Sequence, residues 1–151
     1  MKKKIILDCD PGHDDAVAIM LAAAHDDIDI LGITCVAGNA TLTNTKNNAL
    51  KICSLIGKND IPIFAGSDKP LKYDLVTAAH VHGKSGLDND GEEIHINQNL
   101  CIQKIPAVDF IINSCHSQNE PIYLCPVGPL TNIALALQKD PSIKSKIKEI
   151  V

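Results

Sequence analysis

Four aspartates fall within eight positions near the amino terminus of this chain. Asp8 and Asp10 end a short apolar run, and Asp14 and Asp15 follow a Pro-Gly-His turn and open an apolar stretch of helical character. Carboxylates held close together repel one another and raise each other's pKa, so a fold that gathers them requires a cation or protons among them. The spacing therefore predicts a cation site at the junction between a strand and a helix.

The elements that carry these acids set their geometry. Side chains alternate along a strand, so Asp8 and Asp10 leave the same face, with Asp10 at the carboxyl end. Asp14 and Asp15 occupy a first helical turn, where free N–H groups and the helix dipole favour negative charge. Oxygen ligands of this kind suit calcium or magnesium, whereas zinc or copper would recruit His or Cys. The alternative is a capping pair plus a buried acceptor at Asp8, which explains each acid singly but not all four together.

Composition narrows the class of protein. A chain of 151 residues, 45% hydrophobic, is long enough for one domain with a core. The net charge of -4 and the lack of a basic cluster beyond residues 2–4 argue against nucleic acid or an anionic membrane as partner. No signal peptide or membrane span fits the sequence, which predicts a cytoplasmic protein. Six scattered cysteines without a Cys-x-x-Cys pair indicate neither a disulfide framework nor a zinc site.

Short apolar runs alternate with helical stretches from beginning to end. The predicted strands are residues 4–9, 30–36, 61–65, 121–125 and 147–151, and the predicted helices are residues 14–24, 43–56, 107–116 and 130–138. Residues 69–99 break the pattern and predict a long loop that carries function or mobility. The alternation predicts an α/β fold with an open, mostly parallel, Rossmann-like sheet flanked by helices, truncated after about the fifth strand.

Two loops after predicted strands hold further candidates, because ligands gather beyond the carboxyl ends of parallel strands. Asn39 could present its amide to a hydroxyl or a carboxylate, or could be an ordinary turn asparagine. Val127 precedes a Gly-Pro turn that would leave its carbonyl free to face a cation, a ligand that calcium often takes. The alternative is a plain strand-to-helix turn with Thr131 or Asn132 as helix cap. The spacing alone does not decide between the functional and the ordinary-turn interpretation of either Asn39 or Val127.

The stretch Asp-Cys-Asp-Pro-Gly-His-Asp-Asp-Ala at residues 8–16 resembles the calcium-binding signature of the inosine-uridine-preferring nucleoside hydrolases. Residues 37–39, 82–88 and 127–132 resemble further family motifs in the same order. The resemblance extends through the whole chain, although family chains continue for roughly as long again. It implies that residues 1–151 are the amino-terminal part of a single nucleoside hydrolase domain, with the carboxyl-terminal half absent.

The family resemblance implies calcium-dependent hydrolysis of the N-glycosidic bond of a ribonucleoside, giving ribose and a free base. By that likeness Asp10, Asp15 and the Val127 carbonyl ligate Ca²⁺. Asp10 is also expected to act as the base toward a calcium-bound water. The chemistry agrees with general principles, since a divalent ion lowers the pKa of its water and a neighbouring carboxylate can take the proton.

The same resemblance assigns the substrate contacts. Asp14 and Asn39 would hold the ribose hydroxyls or position the water, and His82 would lie on a mobile loop near the base. A lone loop histidine is more often solvated than catalytic, so His82 depends mostly on the resemblance. The family's second half supplies another Asp ligand, ribose-binding Asn and Glu residues, and a His, none of which this sequence contains. We therefore expect the isolated chain to be inactive, with a homo-oligomer or a complementing carboxyl-terminal half as its protein partner.

Two other interpretations stay open at the level of sequence. The Asp8-x-Asp10 pattern also resembles haloacid-dehalogenase-like phosphatases, in which Asp8 would be the nucleophile and Mg²⁺ the ion. Against it, a Pro-Gly pair replaces the usual Thr or Val and apolar residue, and the later Lys and paired acids of that family are not evident. The third interpretation is a non-catalytic, degenerate half-domain whose open sheet edge binds a partner.

Overall fold

A parallel sheet forms the centre of the molecule. The computed structural model describes residues 2–88, 91 and 93–151. Within these residues the sheet has five strands in the order β3-β2-β1-β4-β5, all parallel. The strands are β1 (Lys3–Cys9), β2 (Ile28–Cys35), β3 (Ile63–Ala65), β4 (Ile122–Pro126) and β5 (Ile147–Ile150). The predicted α/β fold with an open parallel sheet is confirmed.

The helices cover both faces of this sheet. They are α1 (His13–Ala24), α2 (Leu42–Leu55), α3 (Ala79–His82), α4 (Ala107–Ser117) and α5 (Thr131–Lys139), with a 3-10 helix at Pro141–Lys146. The predicted strands and helices have bounds within two residues of those observed. The sequence prediction missed α3 and the 3-10 helix, because each is too short to show a helical period. None of the described helices is both long and apolar enough to cross a membrane.

Burial on both faces explains the continuous apolar strands. Ile6 packs in a cluster with Ile111, while its neighbour Leu7 packs in a second cluster with Ile19 and Ile52 on the opposite face. A strand covered on both faces carries apolar residues at every position rather than at alternate ones. The six cysteines are free thiols, and four of them are buried.

The order of the strands determines where a ligand can bind. The chain adds β2 and then β3 on one side of β1, and afterwards returns to place β4 and β5 on the other side. The loops after β1 and β4 therefore diverge to opposite faces and leave a crevice at the carboxyl edge, which is the usual ligand site of open α/β sheets. Asp10 follows β1 and Val127 follows β4, so both predicted ligands lie at this switch point.

Candidate active site at the carboxyl edge of the sheet

The turn between β1 and α1 places Asp15 inside the protein. The backbone N–H of Gly12 donates to Asp15 Oδ2 at 3.1 Å, an interaction typical of a helix amino terminus. Asn39 Nδ2 donates to the same oxygen at 3.2 Å. Asp15 is only 2% exposed, and its Oδ1 is buried with no hydrogen-bond partner among the residues described. One carboxylate oxygen is thus left for a cation or a proton.

Asp10 lies beside Asp15 in a pocket formed by backbone. The N–H of Asn39 donates to Asp10 Oδ2 at 2.6 Å. A Cβ added to Gly38 or to Gly128 would collide with the Asp10 carboxylate, so both loops come this close only because these residues are glycine. The loops after β2 and β4, predicted separately from the sequence, therefore converge on Asp10.

Burial dominates the electrostatics of this pair. It raises the pKa of Asp10 to about 7, against the lowering effect of the Asn39 N–H, and the negative charges of Asp15 and Asp14 raise it further. Burial likewise raises the pKa of Asp15, again opposed by the Gly12 N–H and assisted by the charge of Asp14. Two carboxylates that resist ionisation side by side are the expected signature of a site that is completed by a positive charge.

Asn39 connects the two acids. Besides its contacts with the carboxylates, its Nδ2 donates to the backbone carbonyl of Asp10 at 3.2 Å. The asparagine thus lies against Asp10 and Asp15 rather than acting only as a turn residue. Both of its donor groups are engaged by the acids, which fixes the side chain at the edge of the pocket.

The residues present fit part of a calcium shell. Ca²⁺ takes about six to eight oxygen ligands, including carboxylates and backbone carbonyls. Asp10 and Asp15 offer carboxylates, one with an unpartnered oxygen, and Val127 adjoins Gly128, whose backbone lies against Asp10. Among the described residues no group of three or more His, Cys, Asp or Glu side chains could hold a metal ion. The oxygen donors that these residues offer are thus of the kind that Ca²⁺ binds, but they are fewer than a full calcium shell requires.

Asp8 differs from Asp10 and Asp15 in being bound by side chains of β2 and α5. Asp8 is 1% exposed, and its Oδ1 accepts hydrogen bonds from Thr34 Oγ1 at 2.5 Å and Asn132 Nδ2 at 2.8 Å. Asn132 also donates to the Cys35 carbonyl at 3.1 Å and accepts from the Ser67 N–H at 2.9 Å. Asp8 is therefore a structural acceptor that helps tie the ends of the central strands together.

The environment of Asp8 and Asn132 corrects two sequence interpretations. Burial raises the pKa of Asp8 to about 6, although the hydrogen bonds from Asn132 and Thr34 lower it. Asp8 Oδ2 has no hydrogen-bond partner among the described residues, but at 1% exposure the carboxylate is out of reach of the phosphate of a phosphatase substrate. Asn132 lies inside α5 rather than at its cap, which is Leu130. The sequence signal for its role is a polar residue on the buried face of that helix, next to Ile133.

Asp14 and His82 occupy the outer side of the same turn. The Asp14 side chain is 79% exposed, and His82 Nε2 lies 3.9 Å from Asp14 Oδ1. The His82 side chain is only 13% exposed because it packs on the turn, where a Cβ on Gly12 would come within 2.9 Å of its Nδ1. The structure thus brings Asp14 and His82 to the turn that carries Asp15.

Sequence reasoning missed several residues of this region. Gly38 and Gly128 allow the backbone to approach Asp10, and the only signal for them is a glycine directly beside each predicted loop ligand. The ring of His13, inside the first motif, contacts the ring of His82. Asn48 of α2 donates a hydrogen bond to the carbonyl of Pro11 in the turn. No periodicity in the sequence marks Asn48, because its partners are backbone carbonyls of distant loops.

The fold and the site define an α/β protein with an open parallel sheet and an acidic crevice at its carboxyl edge, and comparison with known proteins is more specific. A family model described as inosine-uridine preferring nucleoside hydrolase matches residues 5–151. The chain belongs to this nucleoside hydrolase family. The phosphatase interpretation is accordingly wrong.

Relatives and solved structures agree with this membership. The pyrimidine-specific ribonucleoside hydrolase RihB of Escherichia coli (strain K12) is 47% identical over 150 residues, which cover 99% of this chain and 47% of that protein. The purine-preferring ribonucleoside hydrolase from Gardnerella vaginalis superposes with a TM-score of 0.90 at 35% identity, covering 99% of this chain and 48% of that one. The plant nucleoside hydrolase PpNRh1 superposes with a TM-score of 0.90 at 32% identity. The match covers 100% of this chain and 47% of that one. The chain spans about half the length of the relatives it matches.

Proposed function

We propose that residues 1–151 form the amino-terminal part of a single nucleoside hydrolase domain and carry the core of a Ca²⁺ site for hydrolysis of the N-glycosidic bond of ribonucleosides. The observation that carries the proposal is the buried Asp10 and Asp15 pair, bridged by Asn39 and holding an unpartnered carboxylate oxygen. The proposed products are ribose and a free base.

Asp10, Asp15 and the carbonyl of Val127 would hold the ion. When bound, Ca²⁺ supplies positive charge that offsets the two carboxylates and lowers the pKa of water at the site. The Asp10 carboxylate would accept a proton from the water as the water oxygen attacks the anomeric carbon. The bond from that carbon to the base nitrogen would break with its electron pair going to the base, which takes up a proton and leaves as the free base. Asn39 keeps Asp10 in position for this step, because its backbone N–H holds one carboxylate oxygen.

The remaining side chains act on the nucleoside. Asp14, which points to solvent at the mouth of the crevice, and Asn39 hold the ribose hydroxyls. The carboxylates around the sugar also stabilise the oxocarbenium-like transition state of glycosidic cleavage, which develops positive charge. His82 lies beside Asp14 and would face the base. The substrate is proposed as ribonucleosides in general, because the matched relatives include a pyrimidine-specific and a purine-preferring enzyme.

The small donor set has a consequence for the isolated chain. Two carboxylates and a carbonyl fall short of the shell of about six to eight oxygens that Ca²⁺ takes, so we expect residues 1–151 alone to bind the ion weakly and to be inactive. A complementing carboxyl-terminal half would supply further ligands and sugar contacts. Self-association into a homo-oligomer and a cytoplasmic location stay predictions from the sequence.

The experiment is a complementation assay. Residues 1–151 are produced alone and joined to the carboxyl-terminal half of E. coli RihB, and the release of reducing sugar from uridine and inosine is measured with Ca²⁺ and with a chelator. We expect activity only for the joined protein in Ca²⁺. Asp10→Asn should lower kcat by about a thousandfold or more, since it removes both a ligand and the base.

The matched control is Asp26→Asn, the same chemical change at an exposed position near the far end of α1. It should leave kcat within about twofold of the unsubstituted protein, as surface substitutions usually do. Full activity of the Asp10→Asn protein, or activity that survives the chelator, would contradict the proposal. A joined protein that folds but neither hydrolyses nucleosides nor responds to Ca²⁺ would instead support the non-catalytic alternative.

A further inference from the structure

The segment that carries His82, residues 78–88, folds back onto the candidate site; we refer to it as the His82 loop. At its start, the N–H of Ala78 donates to the carbonyl of Asn39 at 3.0 Å. At its end, the Asp88 carboxylate accepts hydrogen bonds from the N–H groups of Lys84 at 2.9 Å and Ser85 at 3.0 Å. The loop therefore has an ordered internal structure, although its sequence lacks any apolar period.

Two asparagines of α2 fasten the middle of the loop. Asn48 Nδ2 donates to the Pro11 carbonyl and to the Ser85 carbonyl, both at 2.9 Å, so one buried amide joins the turn to the loop. Asn44 Nδ2 donates to the Lys84 carbonyl at 3.0 Å. These bonds hold the backbone of the loop against α2. None of them involves the side chain of His82, whose position depends on other contacts.

His13 supplies those contacts from the opposite side. Its Nε2 lies 3.0 Å from the carbonyl oxygen of Asp88, and because that oxygen can only accept, this nitrogen carries a proton. Its Nδ1 lies 3.2 Å from His82 Nδ1, and the two rings stack with centroids 5.5 Å apart at 25°. A single side chain thus contacts both the end of the His82 loop and the ring of His82.

The backbone of His13 also orients the His82 ring. The His13 N–H donates to His82 Nδ1 at 3.4 Å, so the backbone and the ring of His13 both contact this nitrogen. The other ring nitrogen of His82, Nε2, lies 3.9 Å from Asp14 Oδ1. The contacts of His13 therefore turn His82 Nε2 toward the mouth of the crevice, where the proposed substrate would bind.

We propose that His13 is a positioning residue: its ring latches the His82 loop closed over the turn and fixes the orientation of His82 toward the nucleoside. This inference rests on the proposed function for the identity of what the closed loop covers. His13 itself lies outside the Asp10 and Asp15 pair and takes no part in their chemistry. Its role is to keep His82 in place before substrate arrives, which lowers the ordering cost of binding.

The latch is tested first without any activity. Backbone hydrogen exchange is measured in residues 1–151 for the unsubstituted chain, His13→Phe, His13→Gln and His80→Phe. His13→Phe keeps a ring but loses both nitrogens, and we expect about tenfold faster exchange at the amides of the His82 loop, with the amides of α2 unchanged. His13→Gln retains a donor for the Asp88 carbonyl and should restore part of the protection.

His80→Phe is the matched control, since His80 is exposed on the same short helix, two residues before His82. It should exchange like the unsubstituted chain. The nitrogen chemical shifts of the His82 ring give a second readout, and we expect them to change in His13→Phe but not in His80→Phe, because only His13→Phe removes the ring nitrogen that contacts His82 Nδ1. The latch would be overturned if the amides of the His82 loop exchanged at the same rate in His13→Phe and in the unsubstituted chain. It would also be overturned if these amides exchanged as fast in His13→Gln as in His13→Phe.

Kinetics of the joined protein then connect the latch to the substrate. We expect His13→Phe to raise KM for uridine about tenfold and to change kcat less than about threefold, because the loop must be ordered on binding. A lower kcat with unchanged KM would overturn the positioning role. If the unsubstituted joined protein hydrolyses no nucleoside while the exchange difference is found, the proposed function fails and the latch itself stands.

Discussion

Asp8 and Asp10 lie two residues apart at the carboxyl end of β1, yet different kinds of groups surround them. Both are buried, and burial raises the pKa of Asp8 to about 6 and that of Asp10 to about 7. Asp8 is held by donor side chains from β2 and α5, namely Thr34 and Asn132. Asp10 receives a backbone N–H and otherwise faces glycine backbone. Burial alone does not distinguish a structural acid from a functional one, whereas the kind of neighbour does.

The difference follows from what each neighbourhood permits. Side-chain donors from β2 and α5 bind Asp8 Oδ1 and so connect the two elements, while Asp8 Oδ2 is buried with no partner among the described residues. Glycine backbones around Asp10 bring carbonyls and N–H groups close without filling the pocket, and Asp15 adds a second charge there. The edge of the sheet is thus divided into a structural part around Asp8 and the proposed cation-binding part around Asp10.

The largest expected effect on stability lies in the structural part. Asn132→Ala leaves the Asp8 carboxylate, the Cys35 carbonyl and the Ser67 N–H without this partner, so we expect a loss of about 3 kcal/mol in the free energy of unfolding, measured in urea. Asn59→Ala, at an exposed position, should cost less than about 0.5 kcal/mol. A loss below about 1 kcal/mol for Asn132→Ala would show that the network around Asp8 is not what joins the strands.

Gly128→Ala tests the cation-binding part. The added Cβ would meet Asp10 Oδ1, so the loop or the carboxylate has to shift, and we expect a loss of about 2 kcal/mol together with the loss of any stabilisation by Ca²⁺. Both are read from thermal unfolding with and without the ion. Gly57→Ala, where a Cβ meets no atom within 4 Å, should cost only the backbone strain of its φ of 68°, about 1 kcal/mol, and should keep the response to Ca²⁺.

The pH dependence of stability is expected to be a smaller effect. Burial raises the pKa of Asp8 to about 6 and that of Asp10 to about 7 in the folded chain, whereas the ordinary pKa of an aspartate in an unfolded chain is 3.8. Unfolding therefore releases protons in this range, and in chelator the melting temperature should fall as the pH rises from about 4 to about 7.

Calcium should reduce this slope, because an ion that binds the charged carboxylates favours the deprotonated folded state. The slope is therefore measured with Ca²⁺ and with a chelator, in the chain and in Asp10→Asn. Removal of Asp10 should leave the contributions of Asp8 and Asp15, whose pKa values burial also raises. A melting temperature that rises with pH over the same range in chelator would mean that other groups outweigh the two acids.

Much of the fold could be predicted from the sequence, because continuous apolar runs and helical periods report burial directly. The strands and long helices were within two residues of the predicted bounds. Of the proposed site, Asp10, Asn39 and Val127 could be named from the sequence because each follows a strand. A buried acceptor at Asp8 was one of two alternatives, and strand alternation could not decide for it, since it places Asp8 on the same face as Asp10 and does not show the donors Thr34 and Asn132.

Contacts between distant loops account for the rest. The packing of the His82 loop depends on His13 and on the amides of Asn44 and Asn48, which bond to backbone carbonyls. A carbonyl is present at every residue, so no spacing in the sequence can identify which ones are bound. These contacts become visible only once α2 and the first turn have been placed side by side.

The central claim is that Asp10 and Asp15, but not Asp8, form the cation site. The most direct test is the melting temperature of the joined protein as a function of Ca²⁺ concentration, for the unsubstituted form, Asp8→Asn, Asp10→Asn and Asp15→Asn. Since an ion that binds only the folded state stabilises it by mass action, the temperature should rise with Ca²⁺ in the unsubstituted form and in Asp8→Asn, and stay constant in the other two. A rise that persists in Asp10→Asn, or one that is lost in Asp8→Asn alone, would contradict the account.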